Sequence, residues 1–426
     1  MLSSNPTIWL LGSSCRAAAQ SAKRAGVSNI LAWDDFIDAD LIDVANASPL
    51  ADFLIEQTNP TPKSQGIPLV LCGGMENRPD FLSRLLSQGL LCGVTNESLR
   101  QLRSLEAWKE WTYESGIGWP ETIGPLRTGT LSIGTLITGT LRSSSAHDSG
   151  AWMLKPAGGA GGIHVRSYAS LDAIDQTRAL DPAIGPWYAQ RHIAGTTIGV
   201  TYCSDRKETC IAGIARGIDA PDLDAPLPFI YRGNLAPFRV TPDRFDAASR
   251  FGEIVALSTG IRGLWQADFQ IDSQDRLWLL EINPRWSASM ELHETLQGVS
   301  WMKEHLRILI GQGSDQPLPK VPEGLVMDDK GTHKQMAKGI VYAPRDIRAS
   351  SSQVDRLWQA RWHGSLEELE KHEFRVADIP QRAPAGVCFD KGIPIATVLC
   401  VGDSTELLIA KIQHARKKVL DWLEKV

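Results

Sequence analysis

The first hundred residues alternate short apolar runs with stretches of helical periodicity, which is the pattern of an α/β unit. Strands that alternate with helices in this way pack as a parallel sheet with Rossmann-like topology. The pattern predicts strands over residues 7–11, 29–33 and 68–72, and a helix over residues 13–24 that ends at Gly26.

The acid-rich segment DDFIDAD follows the second predicted strand, where a dinucleotide-binding fold would bind ribose. The preceding turn, LGSSCR, lacks the second and third glycines of the GxGxxG fingerprint. Its backbone would therefore not approach a pyrophosphate closely, and the sequence disfavours a dinucleotide site.

A helical stretch over residues 96–115 is followed by three five-residue units that begin at Gly129, Gly134 and Gly139. These units are too short for a solenoid, whose repeats run to about 20 residues or more. We interpret residues 124–150 as a flexible surface insertion, with a lid that closes on substrate as the alternative.

The stretch WMLKPAGGAGGIHV places Lys155 just before a run of small residues. Strand-like runs flank the small residues, so the pattern predicts a hairpin whose loop has almost no side chains. Backbone N–H groups in such a loop can approach an anion closely. The lysine precedes the glycines, and no Lys-Ser or Lys-Thr follows them, so this is not a Walker A loop. On its own, the pattern fits a purely structural turn equally well.

The segment GLWQADFQIDSQDRLWLLEINPR predicts a second hairpin, which carries two acids. We take Gln274 and Asp275 as a two-residue loop. The ladder then sets Asp268 directly opposite Glu281, and Asn283 falls on the same face. Apolar neighbours indicate a largely buried sheet, where two facing carboxylates repel each other unless a cation lies between them.

Carboxylate and amide oxygens are hard ligands that suit Mg²⁺ or Mn²⁺, with waters and phosphate oxygens in the remaining positions. One alternative stays open, in which an acid points outward or pairs with Arg262, Arg276 or Arg285. Arg285 comes just after the strand and would project beside the metal, where a guanidinium neutralises a phosphate or a carboxylate.

A lysine beside a small-residue loop, followed by an Asp, a Glu-x-Asn and an Arg on a hairpin, resembles the ATP-grasp superfamily. MLKPAGGAGGIHV looks like its phosphate lysine and mobile glycine loop, and ADFQID with LLEINPR looks like its metal-binding strands. YAQRHIAGTTIGVTYC resembles the connection that links the two ATP-grasp subdomains and lines the adenine pocket. The closing segments resemble the β-rich tail of the branch of predicted carboligases related to biotin carboxylase.

The resemblance implies an α/β (α+β) chain with the ATP-grasp fold, divided into four segments. They are a Rossmann-like pre-ATP-grasp domain over 1–95, a small subdomain with the insertion over 96–195, a large subdomain with the metal site over 196–315, and a β-rich segment with a terminal helix over 316–426.

The resemblance also implies roles for individual residues. Lys155 would contact the ATP phosphates, and Arg285 would stabilise the transferred phosphoryl group. Relatives often carry a second lysine before the first ATP-grasp helix, where this chain offers only Lys109. The metal ligands would be Asp268, Glu281 and Asn283, and ATP would be bound by Lys155, Gly158, Gly159, Gly161, Gly162, Gln190, Arg191, His192 and Ile193.

Composition narrows the range of partners. The chain has 426 residues, of which 43% are hydrophobic. Its net charge is −5 and it has no block of basic residues, so nucleic acid is a disfavoured partner. The seven cysteines are scattered and mostly lie in apolar runs, as expected for reduced thiols in the cytoplasm. No 18 apolar residues follow one another, so we expect no membrane span.

We therefore expect a cytoplasmic ATP- and Mg²⁺-dependent ligase, with a homodimer as one possible state. It would join a small-molecule carboxylate to an amine through an acylphosphate and release ADP and phosphate. Arg16 and Arg239 would suit an acidic substrate, or else form surface salt bridges. Two alternatives remain: a biotin-carboxylase-like carboxylation through carboxyphosphate, and an ATP-binding protein without catalysis.

Overall fold

Three β-sheets and a pair of short strands organise the part of the chain that a computed structural model describes. The described residues are 7–56, 66–126, 150–175, 185–312, 316–320, 322, 324–327 and 334–424. Helices pack against the sheets, which gives the mixed α/β architecture that the sequence predicts. Among these residues, no helix is both long enough and apolar enough to cross a membrane.

The N-terminal segment folds as a parallel sheet with Rossmann-like topology and the strand order β3-β2-β1-β4. The third strand along the chain was not predicted, because it is a short, polar and mostly exposed edge strand without apolar alternation. The elements are β1 (Thr7–Gly12), α1 (Arg16–Arg24), β2 (Asn29–Asp34), α2 (Ala39–Ile42), β3 (Asn46–Pro49), α3 (Leu50–Glu56), β4 (Leu69–Leu71), a 3₁₀ helix (Met75–Asn77) and α4 (Pro79–Ser87).

The helical stretch predicted over residues 96–115 consists of two helices, α5 (Asn96–Gln101) and α6 (Leu105–Ser115). Ser104 leaves the helical conformation, and its side chain accepts a hydrogen bond from the backbone N–H of Ala107 at 3.2 Å. This cap satisfies a donor that would otherwise lack a partner at the start of α6. The break leaves Arg103 in the short connection between the two helices.

A smaller antiparallel sheet follows, with the order β5-β8-β6-β7. The predicted insertion starts too early, because residues 124–126 belong to the strand β5, which pairs with β8. The rest of the insertion, residues 127–149, lies outside the described residues. The elements are β5 (Thr122–Leu126), β6 (Trp152–Pro156), β7 (Arg166–Tyr168), α7 (Leu171–Asp175) and β8 (Trp187–Arg191).

The large sheet is antiparallel and has the order β13-β12-β9-β10-β11-β14-β18-β16. The strands of the β-rich tail therefore extend this sheet, apart from the separate pair β15-β17. The elements are β9 (Thr196–Ser204), β10 (Thr209–Gly217), β11 (Gly233–Ala236), α8 (Pro242–Thr259), β12 (Gly263–Ile271), β13 (Leu277–Asn283), α9 (Met290–Gln297), α10 (Trp301–Ile310), β14 (Gln335–Tyr342), β15 (Ile347–Ala349), α11 (Ser351–Gln359), α12 (Leu366–Lys371), β16 (Arg375–Ala377), β17 (Val387–Phe389), β18 (Pro394–Gly402) and α13 (Thr405–Glu424).

One hydrophobic core joins the N-terminal sheet to the large sheet. It includes Leu71 and Phe81 from the N-terminal segment, and Phe251 and Phe269 from the large sheet and its helix α8. A shared core fixes the relative position of the segments that contribute to it. The loop after β4 is therefore held at a defined distance from the hairpin β12–β13.

Replacing Ser104 by alanine should destabilise the start of α6, because the N–H of Ala107 loses its acceptor. We expect the free energy of unfolding, measured by urea denaturation, to fall by about 1 kcal/mol. Ser104→Asp keeps a capping oxygen and should retain most of the stability. An equal loss in both variants would contradict the capping role.

Candidate functional site

The hairpin β12–β13 brings Asp268 and Glu281 directly opposite each other, which confirms the predicted pairing. The amide nitrogen of Asn283 donates to both acids, at 2.9 Å to Asp268 Oδ2 and 3.0 Å to Glu281 Oε1. Gln266 Nε2 donates to the other oxygen of Asp268 at 2.6 Å. Both acids therefore point into one site, and the alternative in which one of them faces outward is excluded.

The turn of this hairpin differs from the prediction. The N–H of Asp272 donates to the carbonyl of Arg276 at 3.1 Å, so the loop contains the three residues 273–275 instead of two. Asp275 has φ 69°, the left-handed conformation that typically ends a three-residue hairpin loop. The longer loop shifts the register of the adjacent pairs by one residue.

A β-bulge compensates for the longer loop. Ile271 pairs with Leu277, and if that register continued, Asp268 would face Leu280. The ladder shifts between Asp268 and its neighbour, so that Leu280 becomes the extra residue and Glu281 takes the position opposite Asp268. The predicted pairing is therefore correct although the predicted loop is not, because two irregularities cancel.

The two acids differ in their ionisation. Burial, and after it the charge of Glu281, raise the pKa of Asp268 to about 8. Burial acts in the same direction on Glu281, but the hydrogen bond from Asn283 and the charges of Arg103 and Arg285 outweigh it and lower the pKa of Glu281. At neutral pH the pair therefore holds one proton and one negative charge.

The oxygen donors of this site fit a hard divalent cation, which would take the place of the proton on Asp268. The described residues contain no cluster of three or more acidic, histidine or cysteine side chains with metal-site geometry. Waters and phosphate oxygens would therefore complete the coordination shell. Asn283 turns its nitrogen to the acids and its oxygen to Arg285 Nη2 at 3.0 Å, so its amide must turn over to act as a ligand.

A glycine on the neighbouring strand makes room for the acids. Gly199 on β9 pairs with Asp268. A Cβ atom at position 199 would lie 2.7 Å from Gln266 Nε2 and 3.1 Å from Asp268 Oδ1. A side chain there would displace one of these two groups, so the site depends on the absence of a side chain at this position.

Lys155 lies on β6, close enough to the acid pair for the charge of Glu281 to act on it, and we call the region between them the cleft. Its Nζ donates to Gln190 Oε1 at 2.8 Å, and Gln190 Nε2 donates to Thr122 Oγ1 at 3.2 Å. Burial lowers the pKa of Lys155, and the negative charge of Glu281 opposes this shift. Lys155, on the small sheet, and Glu281, on the large sheet, are therefore electrostatically coupled.

The glycine loop follows Lys155 and leads into β7, as predicted. The carbonyl of Gly159 accepts a hydrogen bond from Asn77 Nδ2 at 2.9 Å. The carbonyl of Gly161 accepts one from the N–H of Tyr231 at 3.1 Å. The loop thus contacts both the N-terminal segment and the chain that precedes β11, on the side of the molecule where the acids lie.

The remaining glycines of the loop differ in their surroundings. Gly162 has φ 75°, and a Cβ atom there would lie 1.8 Å from the carbonyl oxygen of Phe229, so only glycine fits. Gly158 is exposed. The loop is therefore tightly packed at its end and open at its start.

The last two residues of β8 lie on opposite faces of the small sheet. Gln190 and Lys155 share one face, whereas Arg191 pairs with Trp152 on the other and packs over its ring at 4.5 Å. Arg191 also forms an ion pair with Glu121 at 3.4 Å. Because strand side chains alternate, the structure does not direct the Arg191 side chain at the cleft.

His192 and Ile193 lie just beyond β8 and are both half-buried. The N–H of His192 donates to the carbonyl of Ala151 at 3.0 Å. Burial is the main cause that lowers the pKa of His192, and the positive charge of Lys155 lowers it further. His192 therefore lies near Lys155, just beyond the strand that carries Gln190.

Arg285 belongs to a network that sequence reasoning missed. Its Nε donates to Glu76 Oε1 at 2.7 Å, and Glu76, on the 3₁₀ helix after β4, is 3% exposed. Arg103 Nη2 lies 3.9 Å from the same carboxylate oxygen and donates to Asn77 Oδ1 at 2.6 Å. The only sequence signal was the polar segment GGMENRPD at the end of a parallel strand, where sites commonly form.

Arg16, considered above as a substrate ligand, is a buried ion-pair residue. It is 1% exposed and contacts Glu291 and Asp378, the latter at 2.9 Å from its Nε. Arg16 therefore forms salt bridges, as the alternative interpretation of the sequence expected, but these salt bridges are buried and not on the surface.

Comparisons with known proteins identify the domain and the fold. Residues 139–289 match the family model of the ATP-grasp domain. The chain contains an ATP-grasp domain. A curated relative, the carbamoyl phosphate synthase large chain of Helicobacter pylori, is 30% identical over 144 residues, which is 33% of this chain and only 12% of the relative.

Three solved structures share the fold over nearly the whole chain. An N5-carboxyaminoimidazole ribonucleotide synthetase with ADP matches with a TM-score of 0.65 and 16% identity, over 99% of both chains. The biotin carboxylase domain of Hydrogenobacter thermophilus 2-oxoglutarate carboxylase, with MgADP and bicarbonate, matches with a TM-score of 0.65 and 13% identity. The match covers 96% of this chain and 89% of that domain. An L-amino acid ligase from Bacillus licheniformis matches with a TM-score of 0.61 and 12% identity, over 98% of this chain and 97% of the ligase. At these identities the likeness shows the fold, which confirms the fold that the sequence predicts.

Replacing Glu281 by glutamine should preserve the fold but weaken divalent cation binding. The amide can still accept the hydrogen bond from Asn283 and can donate one to Asp268, while the negative charge is lost. In a Mn²⁺ titration followed by electron paramagnetic resonance with saturating ADP, we expect about 100-fold weaker binding, equivalent to about 2.7 kcal/mol. Glu97→Gln, on the exposed side of α5, is the matched control, and equal Mn²⁺ affinity in both variants would disprove the metal role of Glu281.

Proposed function

We propose that this protein is an ATP- and Mg²⁺-dependent ligase that joins a carboxylate to an amine through an acylphosphate, with release of ADP and phosphate. The observation that carries the proposal is the facing pair Asp268–Glu281, which Asn283 links to Arg285 and whose charge acts on Lys155. Such a cleft combines a cation site with donors for phosphate oxygens, as phosphoryl transfer requires.

Asp268 and Glu281, with Asn283 once its amide has turned, would hold Mg²⁺ or Mn²⁺. The bound ion would neutralise charge that develops on the phosphoryl oxygens. Lys155 is held by Gln190 in a position to bind phosphate. The Arg285 guanidinium is fixed by Glu76 and Asn283, so it needs little reorganisation to stabilise charge on a transferred group.

The glycine loop would exclude water. An acylphosphate is hydrolysed by water, so the reaction needs a cover that opens for ATP and closes for chemistry. In the structure the loop contacts two other segments through Gly159 and Gly161, which is the arrangement that a closed cover requires. The carboxylate would attack the γ-phosphate, and the amine would then displace phosphate.

The adenine ring of ATP needs a position next to the residues that bind the phosphates. We place it at the end of β8, where Gln190 and His192 reach the cleft, together with the backbone of residues 191 and 193. Carboxylate and amine substrates are proposed by class only. The L-amino acid ligase supports this class, because its name describes ligation of an amino acid and its fold covers nearly the whole chain.

Carboxylation through carboxyphosphate is a second candidate. It is favoured by the fold shared with a biotin carboxylase domain that was crystallised with bicarbonate and MgADP. An ATP-binding role without catalysis accounts less well for Arg285, whose three hydrogen bonds hold it beside the acid pair. A cytoplasmic location and a homodimer remain predictions.

The function is tested by measuring ADP and phosphate formation with Mg²⁺, ATP and a panel of carboxylates, each with and without amines. Turnover that needs one carboxylate and one amine together supports the ligase. Turnover with bicarbonate and no amine would support carboxylation. Binding of ATP without turnover across the panel would contradict both enzymatic functions.

Lys155→Ala should lower kcat/KM for ATP by about 10²–10³-fold, because a preorganised donor to the phosphate oxygens is removed. Lys155→Arg restores the charge with a different shape and should recover part of the activity. Lys303→Ala, at an exposed lysine on α10, serves as the control and should behave like the unmodified protein. Near-normal turnover of Lys155→Ala would show that this lysine does not bind the reacting phosphates.

A further inference from the structure

The 3₁₀ helix Met75–Asn77 reaches from the N-terminal sheet into the cleft. Gly74 precedes it with φ 84°, a turn that sends the chain away from β4. Met75 is fully buried in the shared core, which anchors the helix. The next two residues, Glu76 and Asn77, extend towards the ATP-grasp elements, and each contacts a different one of them.

Asn77 bridges an arginine and the glycine loop. Its Oδ1 accepts from Arg103 Nη2 at 2.6 Å, and its Nδ2 donates to the carbonyl of Gly159 at 2.9 Å. A guanidinium only donates and a carbonyl only accepts, so this pair of partners permits a single orientation of the amide. Arg103 therefore orients Asn77, and Asn77 in turn holds the loop.

The same arginine is electrostatically linked to the cation site. The charge of Arg103 is among the causes that lower the pKa of Glu281, and it also opposes the upward shift of the Tyr188 pKa. Arg103 therefore lies where the N-terminal segment, the small sheet and the acid-bearing hairpin meet. A change of charge at the cation site would therefore act electrostatically on Arg103, the residue that orients Asn77.

We propose that Asn77 is a positioning residue that holds the glycine loop closed over the nucleotide through the carbonyl of Gly159. The role of the closed loop in catalysis rests on the proposed function, whereas the contact itself does not. The N-terminal segment thereby controls how long nucleotide stays bound, although it contributes no side chain to the predicted ATP-binding set.

Asn77→Asp is the sharpest test, because it changes one donor into an acceptor with almost no change in shape. The new carboxylate keeps the partner Arg103 and places an oxygen against the carbonyl oxygen of Gly159, which repels the loop. Asn29→Asp is the matched control. It makes the same chemical change and loses one donor, to Thr7 Oγ1 at 3.0 Å, at an exposed site on the N-terminal sheet.

Hydrogen exchange of the loop amides in the nucleotide-free protein is the first measurement. The N–H groups of Ala157, Gly159 and Val165 donate to backbone carbonyls in the closed arrangement. We expect faster exchange over residues 157–165 in Asn77→Asp and no change in Asn29→Asp. Equal exchange in both variants would overturn the proposal.

The dissociation rate of a fluorescent N-methylanthraniloyl ADP is the second measurement. Loss of the hydrogen bond and the added repulsion should raise this rate by about 10-fold, with a smaller effect on the association rate. An unchanged dissociation rate would overturn the part of the proposal that concerns nucleotide. If no nucleotide binds to the unmodified protein, the proposed function fails, and the exchange measurement still decides whether Asn77 holds the loop.

Asn77→Ala provides a second route if the aspartate variant does not fold, as judged by circular dichroism and its melting temperature. It removes the bridge without adding charge and should also speed up exchange over residues 157–165, to a smaller extent. A purely structural role would lower the melting temperature without a selective effect on this loop, and that outcome would count against the proposal.

Discussion

Two carboxylates that face each other across a buried ladder form the constraint on which the rest of the site depends. Burial and the charge of Glu281 raise the pKa of Asp268 to about 8, so at neutral pH the pair carries one proton and one negative charge. The surroundings are adapted to this pair: Gly199 leaves space, and Asn283 and Gln266 donate to the acids. A divalent cation in this position would remove the repulsion between the two acids.

The cleft is assembled from three parts of the chain that have separate sheets. The hairpin β12–β13 contributes the acids, β6 contributes Lys155, and the loop after β4 contributes Glu76 and Asn77. The hydrophobic core shared by the N-terminal sheet and the large sheet fixes two of these parts relative to each other. The small sheet has a hydrophobic core of its own, so a movement of this part would open the cleft to a nucleotide.

Local patterns in the sequence predicted the elements that carry local signals. The strand–lysine–glycine motif and the acid pair were found because their residues are close in sequence and alternate with apolar positions. The loop length was wrong, since the left-handed conformation of Asp275 and the bulge at Leu280 leave no mark in the hydrophobic pattern. Glu76 and Arg103 were missed because their contacts with Arg285 and Asn77 depend on how separate segments pack, which periodicity does not encode.

The balance of formal charges in the cleft indicates which ligand it suits. Lys155, Arg103 and Arg285 are three cations, whereas Glu76 and the proton-sharing acid pair supply two negative charges. A divalent ion that displaces the proton makes the cleft more positive by one further unit. A neutral nucleoside would leave this charge uncompensated in a poorly solvated space, whereas a polyphosphate would neutralise it. The arrangement therefore favours a metal-bound polyphosphate over the nucleoside alone, independently of how the adenine is held.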